Sequence, residues 1–245
     1  MGTVILMGGN EFRENCIPMD RQLLTRISHR PPRVLILPTA AAKEKPFLAA
    51  KNGIRYFEAL GALAAAPMII SRQESDDPVQ APQFKKSDLI YLTGGDPRHL
   101  LECLQDSSVW EAVKDRFLQG GMIAGSSAGA MVLGEKMFVS TAGWIQGLGL
   151  VPRVAVIPHY EGPVNERMKL LRQSLEPYIV ILGIAAATAC INNGAASWQV
   201  AGEGCVSVFS LDKAFQYGPG QSFQLPEDEP AGHPGQEGSK MNRFS

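Results

Sequence analysis

The stretch GGMIAGSSAGAMVLG, residues 120–134, decides how this sequence folds. An apolar run at residues 122–124 leads into a turn of small residues around Ser127, and a helical pattern follows. A sharp strand-to-helix turn lifts its central serine into a strained position where bulky neighbours would clash. The turn also places Ser127 at a helix N-terminus, where free N–H groups stabilise an oxyanion. The pattern predicts a nucleophile elbow. Ser126 is the competing hydroxyl, but Ser127 lies two residues from the glycine on either side.

On both sides of this turn, short apolar runs alternate with amphipathic helical patterns. Most runs are continuous, as in parallel strands buried on both faces. The last three lack long helices between them, which indicates antiparallel pairing. The pattern predicts an α/β fold with a doubly wound, mostly parallel sheet, helices on both faces and a small antiparallel addition near the C-terminus. The predicted strands cover residues 4–7, 34–37, 68–70, 89–92, 122–124, 154–157, 179–184, 198–200 and 206–209. The predicted helices cover residues 19–29, 45–60, 97–104, 109–118 and 165–175.

Length and composition fit one domain followed by a tail. The chain has 245 residues, of which 45% are hydrophobic, enough for a full core. Residues 218–245 are rich in glycine, proline and polar residues and cannot offset their ordering entropy by burial. The sequence therefore predicts a single α/β domain over 1–217 and a flexible tail over 218–245, with docking of Phe223 and Leu225 as one option.

Several classes of protein are disfavoured. The net charge is −1 and no basic stripe is present, so nucleic acid is not an expected partner. No apolar stretch reaches the ~20 residues of a membrane span. The four cysteines are far apart and form no CxxC pair, which indicates no metal site and a reduced, cytoplasmic protein. No organic cofactor is indicated either.

A second glycine turn, Thr93-Gly94-Gly95-Asp96, also lies between a predicted strand and a helix. The Gly95 N–H is a candidate oxyanion donor beside that of Ala128. The alternative is an ordinary helix start, in which Asp96 is the N-cap and a proline follows.

The candidate base is His159. It ends the apolar strand predicted at residues 154–157, and ligands in open α/β sheets gather at the carboxyl ends of strands. Of the other histidines, His29 is expected at the surface, His233 lies in the predicted tail, and His99 is either structural or a substrate contact.

Together these segments resemble the serine peptidase family of aspartyl dipeptidase (peptidase E) and cyanophycinase. The resemblance rests on Gly8-Gly9, the glycine turn at 93–96, the elbow at 125–130, and the segments 148–160, 182–189 and 200–209. It implies a fold like that of class I glutamine amidotransferases, with serine replacing their cysteine. It also implies Ser127 as nucleophile, His159 as base, Gly95 and Ala128 as oxyanion donors, and short or aspartyl peptides as substrates. Relatives are often dimers, so a homodimer is an open alternative. Candidate substrate contacts are Gly94, Asp96, Arg98, Ser126, Tyr160 and Arg167.

One departure from the family pattern concerns the acid that orients the histidine. Members carry an acidic pair after a Gly-Ile dipeptide, whereas here Ala185, Ala186 and Ala187 follow Gly183-Ile184, and the missing acid maps to Ala186. Loss of such an acid costs ~10⁴ in turnover in a trypsin-type triad. The chain is then a serine–histidine dyad, an enzyme with a substitute acid, or a weakened or inactive relative that binds a small ligand. Candidate substitutes are Glu203, Glu161, Asn192 and Asn193.

A second alternative is an esterase-type α/β-hydrolase. Its triad order of serine, acid and histidine would require Ser127, Asp212 and His233. A histidine in a glycine- and proline-rich tail is a poor base, because a base must be held rigidly.

Overall fold

The computed structural model of the protein describes residues 2–162, 166–192, 197–211 and 213–226. Strands and helices alternate through most of these residues. The strands are β1 (Thr3–Met7), β2 (Arg33–Leu37), β3 (Leu63–Ala65), β4 (Leu89–Leu92), β5 (Met122–Ser126), β6 (Gly134–Val139), β7 (Gly143–Gln146), β8 (Val151–Pro158), β9 (Val180–Ile184), β10 (Thr188–Asn192), β11 (Ser197–Gly202), β12 (Val206–Phe209), β13 (Ala214–Tyr217) and β14 (Ser222–Gln224). The α-helices are α1 (Ile17–Thr25), α2 (Pro46–Ala59), α3 (Arg72–Asp76), α4 (Ala81–Lys85), α5 (Pro97–Leu104), α6 (Ser108–Leu118), α7 (Ala128–Leu133) and α8 (Glu166–Gln173). Within the described ranges, no helix is long and apolar enough to span a bilayer.

The larger sheet has eight strands in the order β14-β11-β10-β1-β5-β4-β2-β3. The five strands from β1 to β3 in this order pair in parallel, and β10, β11 and β14 add antiparallel strands beside β1. The predicted α/β class, the mostly parallel sheet and the late antiparallel addition are therefore confirmed. The carboxyl ends of β1 and β5 are adjacent, because Met7 pairs with Ser126.

A second sheet of six strands was not predicted. Its order is β13-β12-β9-β8-β6-β7, and β6, β8 and β9 run parallel. Strands β6 and β7 are not marked by an apolar run in the sequence, because their residues are mostly half-buried and mix polar with apolar side chains. This sheet carries the strand that ends at the predicted base, so the site draws on both sheets.

Alternate side chains of the larger sheet enter two different cores. Ile5 and Met7 face helices α1 and α2, whereas Val4 and Leu6 face α5, α6, α7 and the second sheet. A third, smaller core lies between the second sheet and α8. Because both faces of the parallel strands are covered, their sequences are continuously apolar.

Two boundaries differ from the sequence prediction. No strand forms at residues 68–70, where the Ile69 N–H donates to the Pro67 carbonyl in a tight turn, and β3 lies five residues earlier. At the other end, Phe223 on β14 is buried and stacks on Tyr217, so ordered structure continues past the boundary predicted at residue 217. Residues 227–245, including His233, lie outside the described residues.

Candidate active site

Ser127 forms the sharp turn between β5 and α7. Its φ and ψ angles are 51° and −110°, a region that costs a residue other than glycine about 1–3 kcal/mol. The turn is tight enough that a Cβ atom at Gly125 would lie 2.4 Å from the Gly129 carbonyl. Only glycine at position 125 permits this approach, and a Cβ atom at Gly129 would lie 2.4 Å from the Leu92 carbonyl oxygen. The half-buried Ser127 side chain is therefore held in the strained position expected of an elbow.

The Ser127 hydroxyl and the His159 imidazole are within hydrogen-bond distance. The Oγ atom of Ser127 lies 3.0 Å from Nε2 of His159, which follows β8 in the second sheet. His159 is exposed to solvent. The distance lies within the range required for a base to take a proton from a nucleophile.

The backbone at the end of β1 aligns three loops of the site. The carbonyls of Met7, Gly8 and Gly9 accept the N–H groups of Ser127, His159 and Ala187, at 3.0, 2.8 and 3.0 Å. These three donor residues have φ angles of 51°, 53° and 50°, although none is glycine. Left-handed backbone at several non-glycine residues is typical of functional sites, where surrounding structure holds the strain.

The imidazole of His159 packs against Gly9. A Cβ atom at Gly9 would lie 2.0 Å from Cε1 of His159, so any larger residue would displace the ring. Among the described residues, Nδ1 of His159 has no hydrogen-bond partner. Packing and the backbone bond to Gly8 therefore fix this histidine in the part of the chain that the structure describes.

The two predicted oxyanion donors are available. In the described ranges, neither the Gly95 N–H nor the Ala128 N–H has a protein acceptor, whereas the neighbouring Ser127 N–H is used by Met7. The position of a Cβ at Gly94 is 3.4 Å from Cβ of Ser127, so the glycine turn and the elbow are in contact. The geometry leaves free donors on the two turns that flank the serine hydroxyl.

Several predicted substrate contacts are occupied by other partners. Asp96 caps α5 through the N–H groups of Arg98 and His99, and its carboxylate lies 3.0 Å from Nζ of Lys43. Burial acts to raise the pKa of Asp96, but the hydrogen bonds from His99 and Lys43 outweigh it and lower the pKa. The Arg98 guanidinium pairs with Glu102 on the surface of α5.

The remaining predicted contacts differ in their access to the site. Ser126 is fully buried and donates its hydroxyl proton to Glu11, so its side chain has a structural role in place of the expected substrate contact. Tyr160, the residue after His159, lines a cavity, and its ring packs edge-on against Phe209. Arg167 is exposed on α8.

A cavity of about 500 Å³ is lined by Tyr160, the residue after His159, and by Ala186, the position predicted for the missing acid. Ala185 and Ala186 line it together with the carboxylates of Glu161 and Glu203. The other lining residues are Asn10, Asn15, Tyr160, Gly162, Gly204, Cys205 and Gln216. No lysine or arginine is among these lining residues, so within the described chain the cavity has acidic character.

The candidate substitutes for the acid separate by position. Glu203 and Glu161 share the cavity with Ala186, and Oε2 of Glu203 accepts a hydrogen bond from Asn15 at 3.3 Å. Asn192 pairs with Val4, three residues from the end of β1, which places it roughly 10 Å along the strand from the site. Asn193 and the esterase-type acid Asp212 lie outside the described residues.

Sequence reasoning missed Glu11 and the specific role of Gly9. Glu11 accepts hydrogen bonds from the backbone of Gly94 and the hydroxyl of Ser126. The only local signal was the Gly-Gly pair at the end of the first strand, which marks a close backbone approach but not its partner.

This fold and site define an α/β enzyme of the hydrolase class. The chain belongs to peptidase family S51, whose model matches residues 4–196. The family membership confirms the resemblance seen in the sequence.

Named relatives and a solved structure agree with this assignment. The chain is 27% identical to a cyanophycinase of Trichormus variabilis, over 84% of this chain and 72% of the relative. It is also 27% identical to peptidase YgaJ of Bacillus subtilis, over 68% of this chain and 72% of the relative. The crystal structure of a peptidase from an acI-B1 Actinobacterium superposes with a TM-score of 0.82 at 26% identity, covering 92% of this chain and 97% of that one.

Proposed function

We propose that the protein is a serine-type peptidase of short peptides that uses Ser127 as nucleophile and His159 as general base. The 3.0 Å contact between Oγ of Ser127 and Nε2 of His159 carries this proposal. Family S51 membership supports peptide bonds as the class of bond cleaved.

In the proposed reaction, the Ser127 Oγ attacks the peptide carbonyl carbon while His159 takes the hydroxyl proton. The N–H groups of Gly95 and Ala128 bind the developing oxyanion. His159 then gives its proton to the leaving amine, and the acyl group stays on Ser127. Water deprotonated by His159 releases the acid and regenerates the enzyme.

The proposed enzyme works as a dyad. Ala186 supplies no carboxylate, and the contact with Gly9 holds the imidazole instead. Packing fixes the ring position but does not stabilise the imidazolium electrostatically, so we expect turnover below that of a complete triad.

The cavity chemistry refines the substrate class. Glu161 and Glu203 line the cavity that is also lined by Tyr160, the residue after His159. Like charges repel an acidic side chain there, whereas an ammonium or guanidinium group is attracted. We therefore propose peptides with a cationic group near the scissile bond as better substrates than aspartyl peptides.

Fluorophosphonate labelling tests the mechanism. We expect an adduct on Ser127, located by mass spectrometry, that is lost in Ser127→Ala and reduced at least ~100-fold in His159→Ala, as for loss of a general base. His29→Ala serves as a control because His29 is an exposed histidine beside Asp88, at the start of β4 and not at the carboxyl ends of the strands, where the site lies. Absence of labelling in the wild-type protein would favour the alternative, an inactive relative that binds a small ligand in the cavity.

A further inference from the structure

Glu11 bridges the two turns that flank the nucleophile. Its Oε1 accepts the Gly94 N–H at 2.7 Å, and its Oε2 accepts the Ser126 hydroxyl at 2.8 Å. Gly94 directly precedes the proposed oxyanion donor Gly95, and Ser126 directly precedes Ser127. The Glu11 carboxylate thus binds the residue before the proposed oxyanion donor and the residue before the proposed nucleophile.

We propose that Glu11 is a positioning residue that fixes the oxyanion turn against the nucleophile turn. The inference rests on the proposed function and deepens it. Glu11 touches no reacting atom in this arrangement. It acts through the peptide groups next to Gly95 and Ser127.

The bonding pattern requires a carboxylate with two accepting oxygens. A backbone N–H and a serine O–H both donate to it, and an ionised carboxylate is an acceptor only. Hydrogen bonds to an ionised group are shorter and roughly twice as strong as neutral ones. Ser126 is fully buried, so no water competes for its hydroxyl. These conditions make Glu11 a stiff connection between two loops that are 32 residues apart in sequence.

The contact also means that a larger residue at Gly94 would press on the Glu11 carboxylate. A Cβ atom at Gly94 would lie 2.9 Å from Oε1 of Glu11. With the Gly94 N–H bound to Glu11, that donor is removed from the site and Gly95 is left to face a substrate. Because a misplacement of ~1 Å can cost ~100-fold in rate, small shifts of this turn matter for catalysis.

Glu11→Gln is the appropriate variant because it preserves the size of the side chain. A glutamine has one amide oxygen and no charge, so while that oxygen accepts from Gly94 the Ser126 hydroxyl must reverse and accept from the amide N–H₂, and both bonds lose the strength that the charge gives them. We expect kcat to fall about 10- to 100-fold, somewhat less than the loss of an oxyanion donor itself. We expect KM to change less than about threefold, since the oxyanion forms only in the transition state. Glu14→Gln, at an exposed carboxylate three residues away, is the matched control.

A spectroscopic readout separates positioning from catalysis. Thr93-Gly94 is the only Thr-Gly pair in the sequence, so ¹³C-carbonyl threonine with ¹⁵N-glycine gives one amide signal, that of Gly94. We expect this signal to move upfield in Glu11→Gln and to stay unchanged in Glu14→Gln. Ser126→Ala, which leaves the Gly94 bond in place, should move it less than Glu11→Gln does.

The outcomes are distinct. A Gly94 signal unchanged in Glu11→Gln would overturn the proposed bridge, and a shifted signal with unchanged kcat would overturn its catalytic role. A fall in kcat that is fully explained by a smaller folded fraction of Glu11→Gln at the assay temperature would point to general unfolding. That result would also count against a positioning role for Glu11. If the wild-type protein neither labels at Ser127 nor cleaves peptides, the proposed function fails, and the Gly94 signal alone then decides whether Glu11 fixes the turn.

Discussion

Ser127 and His159 donate their backbone N–H groups to consecutive carbonyls, those of Met7 and Gly8. The nucleophile lies on the larger sheet and the base on the second sheet, so the end of β1 sets the distance between them. Ala187 continues the series by donating to Gly9. The end of β1 thereby also holds the backbone of the loop in which the sequence predicts an acid to be missing.

Replacement of Gly9 by alanine should abolish activity by displacing the base. The added Cβ would overlap the imidazole of His159 at 2.0 Å, and the φ angle of 121° at Gly9 is already unfavourable for alanine. We expect labelling of Ser127 to slow at least ~100-fold, since base and nucleophile must stay in register. Second-order rate constants for the fluorophosphonate measure this.

Gly61→Ala is the matched control for that substitution. Gly61 also has a positive φ angle, 86°, but a Cβ there meets nothing within 4 Å. It should cost about 1 kcal/mol of stability from backbone strain and leave the labelling rate unchanged. Similar rates in Gly9→Ala and the wild type would contradict the proposed role of the Gly9 contact.

Restoring the acid at position 186 should raise activity. Ala186 lines the cavity that Tyr160, the residue after His159, also lines, and the Ala187 N–H bond to Gly9 fixes the loop. A glutamate there would stabilise the imidazolium of His159. We therefore expect Ala186→Glu to increase the labelling rate ~10-fold or more, which is part of the ~10⁴ that the orienting acid contributes to turnover in a trypsin-type triad. Ala186→Gln has the same shape without the charge, so equal rates in the two variants would show that no carboxylate acts from this position.

The sequence was sufficient for the turn between a strand and a helix at Ser127 and for the strand that ends before His159, because both are local features. Small residues around Ser127 and an apolar strand ending at His159 encode a strand and a turn within a few positions. It was not sufficient for the Gly9 contact or for Glu11, which join residues more than 80 positions apart. The second sheet was missed for a related reason, since half-buried edge strands such as β7 carry a weak periodic signal.

Glutamine in place of Glu203 should change substrate preference and not the chemistry. Glu203 lines the cavity, and its carboxylate accepts a hydrogen bond from the Asn15 side chain. We expect Glu203→Gln to raise KM for a dipeptide with a basic side chain by about 5- to 10-fold, because an exposed attraction of about 1 kcal/mol is lost. Labelling of Ser127 should stay within about threefold of wild type. A large loss of labelling would instead identify Glu203 as the substitute acid.

Asp20 should make the protein less stable as the pH rises. This carboxyl on α1 is almost fully buried, and burial raises its pKa from 3.8 to about 7, although a hydrogen bond from the Tyr56 hydroxyl acts in the opposite direction. A raised pKa means that the folded state binds the proton more tightly than the unfolded state. The contribution of Asp20 to the free energy of unfolding is therefore fully present below pH ~4. It is lost as the pH rises towards about 7, by up to about 1.4 kcal/mol per pH unit.

Asp20→Asn removes this titration and keeps an oxygen for the Tyr56 hydroxyl. The free energy of unfolding is measured by urea unfolding at pH 5 and at pH 8. Between these two pH values it should fall more in the wild type than in Asp20→Asn. The exposed Asp115 gives the matched control, since Asp115→Asn makes the same change from carboxyl to amide without altering a buried group. Because Asp20→Asn leaves a buried amide N–H₂ group that must find an acceptor, its absolute stability matters less than the pH dependence. Parallel pH dependences in the wild type and Asp20→Asn would show that Asp20 does not titrate in this range.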